Sequence, residues 1–410
     1  MLDSSKISRP IGVKGIIAAV LILIIIGLAV VGFVRYNGEI PEVKATASAQ
    51  DTVLPGQLSV TFPTQGESAV GTDNFGVIAS STDQSAIPIA SVTKIMTAYL
   101  VLKAYPLKSG EDGPSLTMTA KDVAGYEFAR KNNYSLLPVT LGEKLTERQL
   151  LEGLMLPSGN NIADTLGRWV AGSDEAFIAK MNETAQSLGM TKTHYADASG
   201  ANPATVSNAV DQIKIAQTAM QDPVFREIVA MPQATLPVAG RVYNVNNMLG
   251  KHGIVGIKTG SGVIAGGCFV SAAPLVNGSE KHYIIVAVLG SRSSNQNLQS
   301  ALETNARILD QVAPQFKTYT LTPPANGYGK ITTPWHTNSE LELKQPIQVF
   351  GYPGMKISYT IEPVAIKLPA PIGTNAATFK IKTGDKSQSV PMVNKVQIDP
   401  PEFMWRLLRN

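Results

Sequence analysis

The chain has 410 residues, 44% hydrophobic and 16% charged, too apolar for wholesale disorder and long enough for two or three domains. Its 35 Lys and Arg against 31 Asp and Glu leave a net charge of +4, without basic blocks or interleaved aromatics, so no nucleic acid partner is expected. One cysteine, Cys268, closes no intrachain disulfide, and His194, His252, His282 and His336 show no metal-ligand spacing, so no metal site is expected.

The first element is an address. Residues 1–14 carry Lys6, Arg9 and Lys14, and residues 15–34 follow as 20 positions without a charge. At 1.5 Å per residue such a helix reaches about 30 Å, the hydrocarbon thickness of a bilayer. The basic flank keeps the N-terminus in the cytoplasm and exports everything after Arg35, which predicts a single-pass signal anchor. A cleaved signal peptide is the competing reading, with A-x-A-like sites at Ala45–Ala47 and Ala47–Ala49, more than ten residues past the apolar run. Residues 35–60 lack sustained periodicity and read as a tether.

Residues 61–317 read as a mixed domain. GVIAS at 76–80 reads as a strand and Val92–Ala104 as a helix. Further helical periodicity runs over Glu147–Leu156, Ile162–Ala171, Ser173–Leu188, Ala209–Gln221 and Leu298–Val312, with strands at Gly267–Ala273 and Tyr283–Leu289. Strands at both ends of a helix-rich middle predict an α/β (α+β) fold with helices on an antiparallel sheet. Residues 318–400 switch to short alternating runs broken by turn residues, the pattern of a small all-β domain. Residues 401–410 form a short amphipathic terminus in which Phe403, Met404, Leu407 and Leu408 share a helical face. It reads as a cap on the β domain, with a membrane-surface contact as the alternative.

Three short motifs carry chemistry. Ser91-Val92-Thr93-Lys94 opens a helix, and i,i+3 spacing puts hydroxyl and ammonium one turn apart on one face. A lysine serves as base to a serine when burial and a neighbouring cation disfavour its charged form. Ser158-Gly159-Asn160 follows 67 residues after Ser91, and Lys258-Thr259-Gly260 comes 100 residues after Ser158 on a strand edge. Any one motif occurs by chance. The three in order, in one exported domain, form the signature of active-site serine penicillin-binding proteins and serine β-lactamases.

The surrounding words narrow the resemblance. PIASVTKIMTAYL (88–100), LLEGLMLPSGNNIADTLG (150–167), MNETAQSLGMTKTHYADASG (181–200) and VGIKTGSGVIAGGCFVSAA (255–273) resemble the serine-type D-alanyl-D-alanine carboxypeptidases, the low-molecular-mass penicillin-binding proteins. The resemblance covers about 70–318 strongly and extends more weakly into the β-rich segment. It implies a membrane-anchored enzyme that removes the terminal D-alanine from peptidoglycan pentapeptide stems and is acylated by β-lactam antibiotics, without a cofactor. By the same resemblance Ser91 would be the nucleophile, Lys94 its general base and Ser158 the proton relay to the leaving amine. Asn160 would hold Lys94 and the substrate amide. Lys258 and Thr259 would face the substrate carboxylate beside Gly260, and the amides of Ser91 and Ser261 would form the oxyanion hole.

The chain also departs from that family. Ser261-Gly262 follow K-T-G where a bulky residue and a threonine are usual, and Gln296-Asn297 occupy the region of a carboxylate-binding arginine, leaving Arg292 as the nearest substitute. A β-lactamase would need a deacylating glutamate in E-x-x-L-N, which none of Glu175, Glu183 and Glu227 begins. A receptor acylated without turnover, a cell-wall scaffold and a D,D-endopeptidase remain as alternatives. Lys382-Thr383-Gly384 reads as a plain hairpin. Gly260–Ala265 matches a dinucleotide fingerprint, but strand rather than helix follows it.

Overall fold

A computed structural model describes residues 12–47, 50–294, 296–324, 327–384 and 386–409. Its first helix, α1, spans Val13–Asn37 with no buried residue. Among the described residues it is the one helix long and apolar enough to cross a membrane. The chain divides into two compact units, one of residues 54–319 with 350–355, the other of the residues before 54, 320–349 and those from 356 onward.

The first unit holds α2 (Lys94–Ala104), α3 (Ala120–Lys131), α4 (Glu147–Met155), α5 (Asn160–Ala171), α6 (Asp174–Ser187), α7 (Ala209–Ala219), α8 (Pro223–Val229) and α9 (Asn297–Val312). They flank a five-stranded antiparallel sheet in the order Gly256–Gly262, Gly266–Asn277, Glu280–Ser291, Glu67–Thr72, Gly76–Ser80. Period-two alternation buries both faces. Cys268, Val270 and Ala272 join the core with α2, α5 and α7, while Phe269, Ala273 and Leu275 pack with α9. Helix α2 is central, with eight of its residues buried, as a helix apolar on all sides must be. This is the mixed helix and antiparallel-sheet fold that the sequence predicts.

Two local devices were less visible. Helix α3 has a weak apolar stripe and is fixed by a capping box, Thr119 accepting from the Asp122 amide while the Asp122 carboxylate accepts from the Thr119 amide. Residues 350–355 fall with this unit rather than with the β-rich segment. Phe350 and Tyr352 pack on Phe316 at 5.9 and 5.5 Å, and the Leu54 amide donates to the Met355 carbonyl at 2.9 Å.

The second unit is a seven-stranded antiparallel sheet ordered Ala45–Ala47, Gly329–Thr332, Asn338–Leu343, Lys386–Asn394, Asn375–Thr383, Lys356–Pro363, Gln50–Val53. The 35–60 segment, expected as a tether, thus contributes two strands, Ala45 opposite Ile331 and Thr52 opposite Ile357. Stacking of Tyr359 on Phe379 at 4.6 Å, with Tyr328 edge-on to both, fills its interior. The short helix α10 (Phe403–Leu408) lies on the end of α1, with Phe403 at 5.5 Å from the Tyr36 ring and Arg406 over that ring at 5.2 Å. Trp405 also meets Trp335 edge-on at 5.4 Å, so the terminus caps both α1 and the β sheet's flank.

Candidate active site

The turn Ala90–Thr93 is a 3-10 segment that runs into α2, so Ser91 and Lys94 leave the chain at the helix entry. Thr93 Oγ1 donates to the Ala90 carbonyl at 2.8 Å, and Ala90 sits at φ 47, a left-handed conformation costing about 1–3 kcal/mol for a non-glycine residue. Gly200 makes that turn possible. It has φ +79, and a Cβ there would stand 1.8 Å from the Ala90 carbonyl oxygen, so only glycine lets the two segments touch.

Lys94 is fully buried and its Nζ has three oxygen neighbours: Ser91 Oγ at 2.8 Å, Asn160 Oδ1 at 2.7 Å and the Ser199 carbonyl at 2.9 Å. Burial first, then the charge of Lys258, holds its pKa well below the ordinary lysine value. A neutral amine has two N–H donors and one lone pair. Asn160 Oδ1 and the Ser199 carbonyl only accept, so they take the two N–H groups and leave the lone pair to the Ser91 hydroxyl. In that arrangement a neutral Lys94 can accept the proton of Ser91 Oγ, 2.8 Å away.

The Ser199 carbonyl is held in place by Asp197, whose carboxylate accepts from Ser199 Oγ at 2.7 Å, the Ala201 amide at 2.8 Å and Thr205 Oγ1 at 2.5 Å. Ser199 acts through its carbonyl, and a backbone acceptor has no side-chain signature in the sequence. The adjoining Gly200 was the available signal.

The second motif enters from the loop between α4 and α5. Ser158 is buried at φ 68, and its Oγ has no hydrogen-bond partner among the described residues. Gly159 precedes α5, and Asn160 begins that helix, its amide donating to the Ser135 carbonyl at 2.9 Å. The third motif lies on the edge strand. Lys258 is 1% exposed, burial lowers its pKa to about 7, and Nζ donates to the Thr259 carbonyl at 3.2 Å. A Cβ on Gly260 would stand 3.0 Å from the Ile89 carbonyl oxygen and 3.1 Å from the Ser91 and Val92 amide nitrogens, so the strand passes directly over the Ser91 turn.

Ser91, Asn160 and Ser261 line a cleft of about 420 Å3, together with Asn133, Tyr134 and Gly200. Lys94, Ser158, Lys258 and Thr259 are buried around it. Hydrogen bonds join Ser91, Lys94 and Asn160, and Gly260 and Ser261 approach on the strand. Ser158 and Thr259 make no side-chain hydrogen bond among the described residues. Arg292 does not serve as the free carboxylate receptor expected of it, since its guanidinium donates to the Val263 carbonyl at 2.8 Å and to that of Ile264. Those carbonyls stand at the hairpin tip where a dinucleotide fingerprint would need a helix, and the strand Gly266–Asn277 follows instead. His252 bonds the Asp310 carboxylate at 3.0 Å, away from this cleft.

A serine paired with a buried lysine at a helix entry, under an antiparallel edge strand, defines the penicillin-binding class of serine acyl enzymes. Sequence comparison agrees. The D-alanyl-D-alanine carboxypeptidase family matches residues 65–293, more than half of the chain. A D-alanyl-D-alanine carboxypeptidase of Streptomyces sp. strain K15 is 37% identical over 200 residues, covering 45% of this chain and 67% of the relative. The crystal structure of the Streptomyces K15 DD-transpeptidase superposes with TM-score 0.53 at 30% identity, over 62% of this chain and 98% of that one. A peptidoglycan synthesis regulatory factor (PBP3) of Streptococcus pneumoniae shares the fold at TM-score 0.59 and 19% identity, over 83% of this chain. The chain belongs to the D-alanyl-D-alanine carboxypeptidase family, serine hydrolases of the penicillin-binding class.

Proposed function

We propose that Ser91 is the nucleophile with which this chain removes the terminal D-alanine of peptidoglycan stem peptides. The observation that carries this reading is the Lys94 amine, whose two other neighbours only accept, so that its lone pair is left for Ser91. Lys94 takes the Ser91 proton as Ser91 Oγ attacks the penultimate D-alanine carbonyl. The amides of Ser91 and Ser261 receive the oxyanion, an interaction worth about 3–4 kcal/mol in other serine enzymes. Ser158, buried and unpartnered, passes a proton to the leaving amine, and D-alanine departs. Asn160 orients Lys94 and the substrate amide, while Lys258 and Thr259 beside Gly260 attract the terminal carboxylate. Water then releases the shortened peptide from Ser91.

The same serine would be acylated by β-lactams. The exposed apolar helix Val13–Asn37 supports membrane placement as an anchor or signal, with residues 61–317 as the exported catalytic domain and 318–400 as a β domain following it in the chain. The test is release of free D-alanine by the full chain in detergent from a peptide ending in D-Ala-D-Ala, with fluorescent penicillin labelling in parallel. Ser91→Ala is expected to abolish both. Covalent labelling that survives in Ser91→Ala overturns the nucleophile assignment.

A second reading has its own observation. Beyond Ser261 and Gly262 a further groove of about 550 Å3 is lined by Asn247, Gln296, Asn297 and Gln299, neutral amides with space between them. This favours leaving groups larger than D-alanine, as in D,D-endopeptidase cleavage of cross-links. Release from a cross-linked dimer faster than from the monomeric peptide is the outcome that would put it first.

A further inference from the structure

Helix α5 gives Asn160 to Lys94, and Asp164 stands one turn further along the same face. The cleft at Ser91 continues past Tyr134, Asn160, Ala201 and Pro203 into a second groove of about 600 Å3. One wall of that groove is apolar, formed by Ala124, Gly125, Phe128 and Ala129 of α3. The Phe128 and Tyr134 rings meet edge-on at 6.2 Å where the two spaces join.

The charged groups lining this groove are Lys121, Asp164, Arg168, Asp174 and Asp197. Four of the five are engaged with the protein itself. Arg168 bridges Asp122 at 2.7 Å and Asp174 at 3.0 Å, and Lys121 reaches Asp174 at 3.2 Å. Asp197 accepts the four bonds that shape the Ser199 loop. Asp164 makes no hydrogen bond or ion pair among the described residues, although it lines the cavity. Burial, with the Asp174 charge added, pushes its carboxyl up to about 6. At neutral pH it is therefore largely an anion that has lost water and gained no donor, which favours a cation supplied from outside.

We infer that Asp164 is a specificity-determining residue that receives a side-chain ammonium of the substrate on the acyl side of the scissile bond. An apolar wall ending at an unpaired carboxylate fits an alkyl chain tipped by an amine, the side chain of a diamino acid. With Asn160 holding the substrate amide as proposed above, the groove that continues past Asn160 lies on the acyl side, so the diamino acid is the stem residue that precedes D-Ala-D-Ala. The inference rests on the reading of Ser91 as the nucleophile of a D,D-carboxypeptidase.

The experiment compares D-alanine release by the full chain in detergent from two peptides. One carries L-lysine before D-Ala-D-Ala, and the other carries the same lysine with its side-chain amine acetylated. The expected kcat/KM ratio is about tenfold in favour of the free amine, from a charge-assisted hydrogen bond in a partly desolvated site. Asp164→Asn is expected to bring the ratio near one, and Asp164→Glu to restore part of it. Acylation by a penicillin that carries no amine reports that each variant is folded. A wild-type ratio near one, or a ratio that Asp164→Asn leaves unchanged, overturns the inference. Failure of both peptides to release D-alanine fails the carboxypeptidase reading instead, so the two are separable. A third peptide with diaminopimelate in place of lysine identifies the amine's source: a higher kcat/KM than lysine assigns a side chain with a carboxylate beside the amine, a lower one the simple alkylamine.

Discussion

Lys-Thr-Gly occurs twice in this chain, and both copies lie on antiparallel strands next to a hairpin. Residues 258–260 belong to the edge strand Gly256–Gly262, and residues 382–384 close the strand Asn375–Thr383 of the other unit. The surroundings differ. Lys258 is 1% exposed and has its pKa lowered to about 7 by burial, whereas Lys382 stands on the surface opposite Ser387. The glycines differ in purpose as well. Gly260 lies inside a strand and is small because the Ser91 and Val92 amides come within 3.1 Å of where a Cβ would be. Gly384 sits at φ 60 and turns the chain. The same three letters thus bury a lysine on the strand that covers the Ser91 turn in one place and finish a hairpin in the other. The helix entry that stands opposite decides which.

Removing the two lysines tests that contrast most severely. Lys258→Ala is expected to lower kcat/KM for D-alanine release by about 10²–10³-fold, the scale for losing one electrostatic stabiliser in a water-poor site. A fall of less than threefold would mean that the copy at 258–260 is not the working one. Gly260→Ala comes next. Its three nearest atoms are all backbone, so the Ser91 turn must shift by a few tenths of an ångström, and about a tenfold loss of kcat/KM follows from misplaced reacting groups. Penicillin acylation rates should fall in parallel, since both reactions start from the same serine.

The comparison also marks how far sequence carried. The three motifs were legible because side-chain chemistry at fixed spacing survives without coordinates, and the helices α2, α4, α5, α6, α7 and α9 were legible from their apolar periodicity. The strands at 45–47 and 50–53 were not. They are three and four residues long, and their partners, such as Ile331 and Ile357, lie some three hundred residues away. Helix α3 escaped because its apolar stripe is thin, although the Thr119–Asp122 spacing was a readable start signal. Ser199 contributes a carbonyl, which every residue has. Asp164 was visible only as a residue one turn beyond Asn160, and its significance depends on a cavity that no local pattern encodes.

A pH profile sharpens the contrast further. Lys258 with a pKa of about 7 is charged below that value and loses its proton as pH rises through it. The attraction for the substrate carboxylate that the proposed function gives it is therefore present at lower pH and lost at higher pH. The profile of kcat/KM, which reports the free enzyme, should descend above about pH 7, approaching tenfold per unit. Burial and the Lys258 charge also hold the Lys94 pKa well below the ordinary lysine value. Lys258→Arg retains its charge at every accessible pH, so its profile should lack the descending limb, whatever its absolute rate. A limb that persists unchanged in Lys258→Arg would assign the titration to another group.

The smallest effects belong to the second copy. Lys382→Ala removes a surface charge, and D-alanine release is expected to stay within twofold. Gly384→Ala forces a side chain into φ 60, which costs about 1–2 kcal/mol in the left-handed region. That loss falls on the hairpin of the β unit, so thermal unfolding should begin a few degrees lower while kcat/KM is unchanged. Gly260→Ala makes the opposite pattern, a fall in turnover out of proportion to its shift in unfolding. If Gly384→Ala instead depressed turnover as strongly as Gly260→Ala, the two hairpins would have exchanged roles. The burial of Lys258 beside Lys94 would then need an explanation other than catalysis.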